Sequence, residues 1–175
     1  MRIAVRAGRV DQVRDGVQVM AALEGEQRPE RFLPASSGRD RAFSRLVRSI
    51  GFRGAANESV LLPRGTRWVL VVGLGKTKAI SVERVRQFAG VAVRVVRRQG
   101  FKRLALPVLR ERGLGSPAVV AQALTEGAQL GLYKYDTLRQ VSKREKRLRI
   151  ETLTLVTERS GDVAAVKRAV EKGSV

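Results

Sequence analysis

Trp68-Val69-Leu70-Val71-Val72 is an apolar run with no polar interruption, set between Arg67 and Gly73-Leu74-Gly75. A run so short and so rich in Val reads as a strand, and because no position turns to a polar face, the strand is buried on both sides. Ser81 then stands where a helix cap belongs, and Val82, Val85, Phe88, Ala89, Ala92 and Val96 recur at helical spacing up to Gly100. A buried strand feeding an amphipathic helix predicts an α/β chain with a sheet covered by helices.

The same alternation of signals recurs from residue 59 onward. Ser59-Val60-Leu61-Leu62 is a strand stopped by Pro63, and Leu104-Ala105-Leu106-Pro107 is another short strand. Ser116-Pro117 opens a helix through Val120, Ala123, Leu124, Ala128 and Leu130, with Pro117 placed where a missing N–H costs nothing. Arg149 to Val156 alternates as a late strand, and residues 162–171 form a last helix. Upstream, Arg2–Arg6 and Val17–Ala21 alternate on either side of a polar 11–16 turn and read together as a hairpin. The polar stretch 24–38 reads as a loop, and residues 40–50 as a short helix carrying Phe43, Leu46, Val47 and Ile50. A hairpin followed by strand–helix units favours a mixed central sheet flanked by helices, in one domain spanning 1–175.

The polar composition excludes much familiar chemistry. The chain has no Cys and no His, which removes disulfides, thiolate metal sites, Cys nucleophiles and the commonest general base. Ser36-Ser37 has no His beside it to activate a hydroxyl. The first nine residues are interrupted by Arg too often to form a signal peptide, and no stretch approaches the ~18 apolar residues of a span, so a cytoplasmic protein without a membrane partner is expected.

The net charge is +19, of which +15 lies between residues 51 and 150. Its densest part is Lys134, Arg139, Lys143, Arg144, Lys146, Arg147 and Arg149, relieved only by Asp136 and Glu145. This strip reads either as a solvated basic face or as a surface for a polyanion such as DNA. Only Tyr133 and Tyr135 lie near it, too few for a stacking platform.

Gly73-Leu74-Gly75-Lys76-Thr77 ends like a phosphate loop, but the Gly required five positions before Gly75 is Leu70, inside the strand. A dinucleotide fingerprint fails as well, because its third Gly falls at Lys78. The plainer reading is a tight turn whose glycines permit positive φ or the close approach of another segment. Tyr133-Lys134-Tyr135-Asp136, at the end of an apolar helix, reads as two half-buried tyrosines with exposed hydroxyls. Asn57-Glu58 reads as a polar turn or as a device ordering a neighbouring loop.

Taken in order, these segments resemble the amino-terminal domain of the leucyl (cytosol) aminopeptidase family. The strongest piece is Trp68 to Val72 with Gly73, Leu74, Gly75 and Lys76, followed by Ser81, Glu83 and Arg86. Asp40 to Leu46, Phe52-Arg53-Gly54, and the segment Glu126, Gly127, Leu130, Gly131, Tyr133 and Asp136 match further motifs, with Tyr135 where the family has Phe. The resemblance implies a macro-domain-like three-layer α/β fold. It also implies that peptidase chemistry resides in a carboxy-terminal catalytic domain absent from this chain, with two divalent ions, zinc or manganese, and an Asn-Thr-Asp-Ala-Glu-Gly-Arg motif this sequence lacks. The expected partners are that catalytic domain and further copies in a homo-oligomer, typically a hexamer. The chain alone is then not expected to hydrolyse peptides, and since some bacterial members bind DNA, the basic strip acquires a candidate purpose.

Overall fold

The computed structural model describes residues 1–25, 39–133 and 148–174. The strands are β1 (Arg2–Ala7), β2 (Val17–Ala22), β3 (Ser59–Arg64), β4 (Arg67–Gly73), β5 (Arg103–Pro107) and β6 (Thr152–Thr157). The helices are α1 (Arg39–Ser49), α2 (Val82–Arg98), α3 (Pro117–Leu132) and α4 (Val163–Gly173). The strands form one sheet in the order β1-β6-β5-β2-β4-β3, parallel throughout except for the antiparallel edge strand β3. The expected mixed sheet flanked by helices is the observed architecture.

Local sequence explains where the two central helices begin. Ser81 Oγ accepts from Arg84 N at the start of α2, and Ser116 Oγ accepts from Val119 N at the start of α3, with Pro117 in the first turn. The apolar run 69–73 is buried in β4, between β2 and the edge strand β3, while Trp68 is partly exposed and packs its ring 5.7 Å from that of Phe101. β3 runs through Pro63, which pairs in register with Trp68. An edge strand tolerates a residue without an N–H, so Pro63 does not end the strand as the sequence suggested.

The opening hairpin is not formed. β1 pairs with β6 and β2 with β4 and β5, so two strands lie between them and both run in the same direction. The connecting residues instead cross one face of the sheet, where a single 3-10 turn (Val10–Gln12) buries Val10 and Val13 against Ala105 and Val156. Gln18, buried within β2, fastens this crossover by donating to the carbonyls of Asp11 and Val13. Parallel strands require such a crossover, and strand alternation alone carries no information on which neighbour a strand chooses.

The core lies mainly on the other face. There Val19, Leu70, Val72, Leu104, Leu106, Leu153 and Leu155 meet Phe88, Val93 and Val96 of α2, Leu124 and Ala128 of α3, and Val166 of α4. A smaller cluster of Phe43 and Val47 from α1 covers Met20, Val69 and Val71. Leu46 on α1 and Ile50 just after it remain partly exposed although they continue its apolar spacing.

Candidate functional site

The turn after β4 is the best defined of the motif positions. Gly73 N donates to Glu58 O at 2.7 Å, Leu74 N to Ala22 O at 2.7 Å, and Gly75 N to Gly54 O at 3.0 Å. All three amides are consumed in stitching the turn to β2 and to the 54–58 loop, so the Gly73-Leu74-Gly75 backbone does not cradle a phosphate. The glycines are required by space as well as by conformation. A Cβ on Gly73 would stand 2.0 Å from Ala55 O, and Gly75 has φ +79°. Lys76 is exposed just beyond.

The facing loop is organised by Asn57 and Glu58. Asn57 adopts φ +66°, and the Glu58 carboxylate accepts from the backbone N–H groups of Arg53 and Ala55, each at 3.0 Å. Both readings of that pair hold at once: the turn exists, and the acid orders the neighbouring loop.

Glu126 and Gly127 act at the contact between α2 and α3. Arg86 Nε donates to Glu126 Oε2 at 2.6 Å, Gln122 Nε2 donates to Glu126 Oε1 at 2.8 Å, and Arg86 also reaches Glu83 at 3.2 Å. The hydrogen bond from Arg86, aided by Gln122, holds the Glu126 carboxyl below the usual glutamate value, and the same bond raises Arg86. A Cβ on Gly127 would lie 2.1 Å from Arg86 O, and one on Gly131 would lie 2.7 Å from Gly90 Cα. The glycines thus let two helix backbones touch, and the ion pair beside them sets how the helices are oriented.

The outer side of α3 is unusual. Leu130 is 70% and Tyr133 73% exposed, with Val119 partly exposed on the same helix. The sequence groups Leu130 with the apolar series of the helix and reads Tyr133 as half-buried. α3 is apolar on more than one side, so spacing alone did not reveal which stripe faces the core. With Glu126, Gln129 and Gly173, Leu130 and Tyr133 line a shallow hollow beside the end of α4.

Of the basic strip, Lys134, Arg139, Lys143, Arg144, Lys146 and Arg147 lie outside the described residues, as do Tyr135 and Asp136. Arg149 is exposed ahead of β6. A basic cluster that the sequence did not announce occurs elsewhere: Arg2, Arg6, Arg14 and Arg103 line a common cleft. Arg2 and Arg6 had read simply as the polar positions of an alternating strand. Their companionship with Arg103 follows from the parallel pairing of β1, β6 and β5, for which local sequence holds no signal.

The donor set of the described residues does not suit a divalent metal site. Among the described residues no three carboxylates converge. Glu126 is bonded to Arg86, Asp162 to Arg110, Glu151 to Lys102, and Glu58 to backbone amides. Carboxylates engaged in this way are poorly placed to offer several oxygens to one cation.

Residues 23–142 match the sequence profile described as the cytosol aminopeptidase family, N-terminal domain. A probable cytosol aminopeptidase of Roseiflexus castenholzii is 31% identical over 162 residues, covering 89% of this chain and 30% of that protein. One from Acidobacterium capsulatum is 31% identical over 138 residues, covering 77% of this chain and 26% of that protein. The chain therefore spans less than a third of the length of these two relatives. Among solved structures, a tomato leucine aminopeptidase superposes over 99% of this chain and 35% of its own at a TM-score of 0.77 and 19% identity, a likeness of fold. The bottromycin maturation enzyme BotP in complex with Mn covers 90% of this chain and 28% of its own, at 26% identity and a TM-score of 0.61.

Proposed function

The chain belongs to the cytosol aminopeptidase family, whose N-terminal domain it matches, and from that premise we propose that it is a non-catalytic unit supporting a larger cytoplasmic aminopeptidase. In that enzyme a separate catalytic domain binds two divalent ions and removes amino-terminal residues from peptides. This unit packs against the catalytic domain, contributes to a homo-oligomer of hexamer type and shapes access to the active sites. The observation that carries the reading is the use this chain makes of its acids: Glu58 and Glu126 hold a loop and two helices together, and the sequence lacks the Asn-Thr-Asp-Ala-Glu-Gly-Arg motif.

The outer side of α3 supports docking. Exposed Leu130 and Tyr133 beside the end of α4 form an apolar patch on an otherwise strongly charged protein, of the kind that meets another protein surface. Replacing both with Asp in the protein that joins this unit to its catalytic domain is expected to weaken assembly and lower activity. Far-ultraviolet circular dichroism of the 175-residue chain carrying the same changes is expected to be unaltered. Intact assembly and full activity in the double variant would remove this face from the docking surface.

A further inference from the structure

The sheet face opposite α2, α3 and α4 is unevenly covered. Over β2 and β4 it carries α1, but over β5 and β6 the described residues place only the crossover turn with Val10 and Val13. Next to that turn opens a cleft of about 490 Å³ whose walls include Arg2, Arg6, Arg14 and Arg103 and whose floor includes Thr152 and Thr154. The strand register explains the grouping. Arg2, Thr152 and Arg103 stand side by side on β1, β6 and β5, and the next residues on the same face are Ala4, Thr154 and Ala105. Two long cationic side chains about 10 Å apart at the backbone therefore flank a floor of small residues and hydroxyls. Arg6 bounds the cleft further along β1, and Arg14 enters from the crossover.

The charge in this cleft is not internally balanced. Asp15 is its one lining carboxylate, 3.7 Å from Arg103, and both side chains are largely exposed. Among the described residues Arg2, Arg6 and Arg14 have no carboxylate partner. Guanidinium groups gathered around a concavity repel one another until an anion enters, and their planar forks suit oxyanions. A single small anion spans too little of the distance between the walls to meet them all. A carboxylate presents two oxygens in one plane, whereas cations on several sides above a hydroxyl floor match a chain of tetrahedral groups with oxygens in every direction.

We propose that the cleft framed by Arg2, Arg6, Arg14 and Arg103 over Thr152 and Thr154 binds an oligophosphate chain. The chain is either inorganic polyphosphate or the triphosphate of a nucleotide. Titration calorimetry of the 175-residue protein at low salt, with tripolyphosphate, ATP and citrate in separate runs, tests this. One saturable tripolyphosphate site is expected, with citrate at least about tenfold weaker. ATP binding tighter than tripolyphosphate identifies a nucleotide as the source, and ATP binding no tighter identifies the inorganic chain. The variant Arg6→Gln/Arg14→Gln/Arg103→Gln is expected to lose at least about tenfold in affinity, while Arg98→Gln/Lys167→Gln/Arg168→Gln, with the same charge change on exposed helix positions, stays within about twofold. If the first triple variant fails to fold by circular dichroism, Arg14→Gln alone is read, with about a threefold loss expected. Equal losses in the two triple variants, citrate binding as tight as tripolyphosphate, or no saturable binding would overturn the proposal. So would tripolyphosphate-induced amide shifts that centre on residues 134–147 and spare Thr152 and Thr154.

Discussion

Arg86 serves α3 twice: its side chain donates to Glu126 at 2.6 Å, and its carbonyl oxygen occupies the space where Gly127, the next residue, would carry a Cβ. The contact is therefore specified by both members of the Glu-Gly pair. Helix propensity alone would favour Ala over Gly at residue 127 by about 1 kcal/mol. The overlap with Arg86 O reverses that sign, and Gly127→Ala is expected to destabilise the chain by about 2 kcal/mol or more in a urea titration. A stabilised variant would show that the helices do not approach as described.

Acid should loosen the same contact. Because Arg86 holds the Glu126 carboxyl below its ordinary value, the folded state favours the ionised form. That contribution is complete above the unfolded glutamate value of about 4.3 and is lost as pH falls through the lower folded value. Stability should therefore fall on acidification below about pH 4.5, and Glu126→Gln should flatten that slope while costing about 1 kcal/mol at neutral pH. Thermal unfolding followed across pH 3 to 7, roughly the range over which glutamates titrate, reads both effects.

The turn after β4 makes a matching prediction. Gly73→Ala drives a methyl into Ala55 O and should destabilise by about 2 kcal/mol or more, whereas Gly161→Ala, with open space around it, should stay within about 0.5 kcal/mol. Glu58→Ala removes the acceptor for Arg53 N and Ala55 N, so faster hydrogen exchange at those two amides is the expected signature.

What could be read from sequence was whatever is decided locally. The caps at Ser81 and Ser116, the buried run 69–73 and the refusal of Gly73–Lys76 to be a phosphate loop all follow from neighbours in the chain. Partner choice was not local. β1 and β2 alternate like the arms of a hairpin, yet the burial of Val10 and Val13 on Ala105 and Val156 makes their connection a crossover. The cleft of Arg2, Arg6, Arg14 and Arg103 is not legible in the sequence for the same reason, since β1 and β5 flank it only through their shared neighbour β6. On α3, apolar residues on more than one side concealed that Leu130 and Tyr133 face outward. That ambiguity is itself informative, because a helix apolar on both sides suits burial by two neighbours.

The proposed division of labour between this unit and a metal-bearing catalytic domain is tested most directly by an aminopeptidase assay on the 175-residue chain alone. Leucine amide would be supplied with saturating Mn²⁺ or Zn²⁺, and release of leucine followed. The account predicts no release above the metal-containing buffer. Metal-saturable turnover that a chelator abolishes and added metal restores would contradict it, and would place the catalytic ligands within this chain.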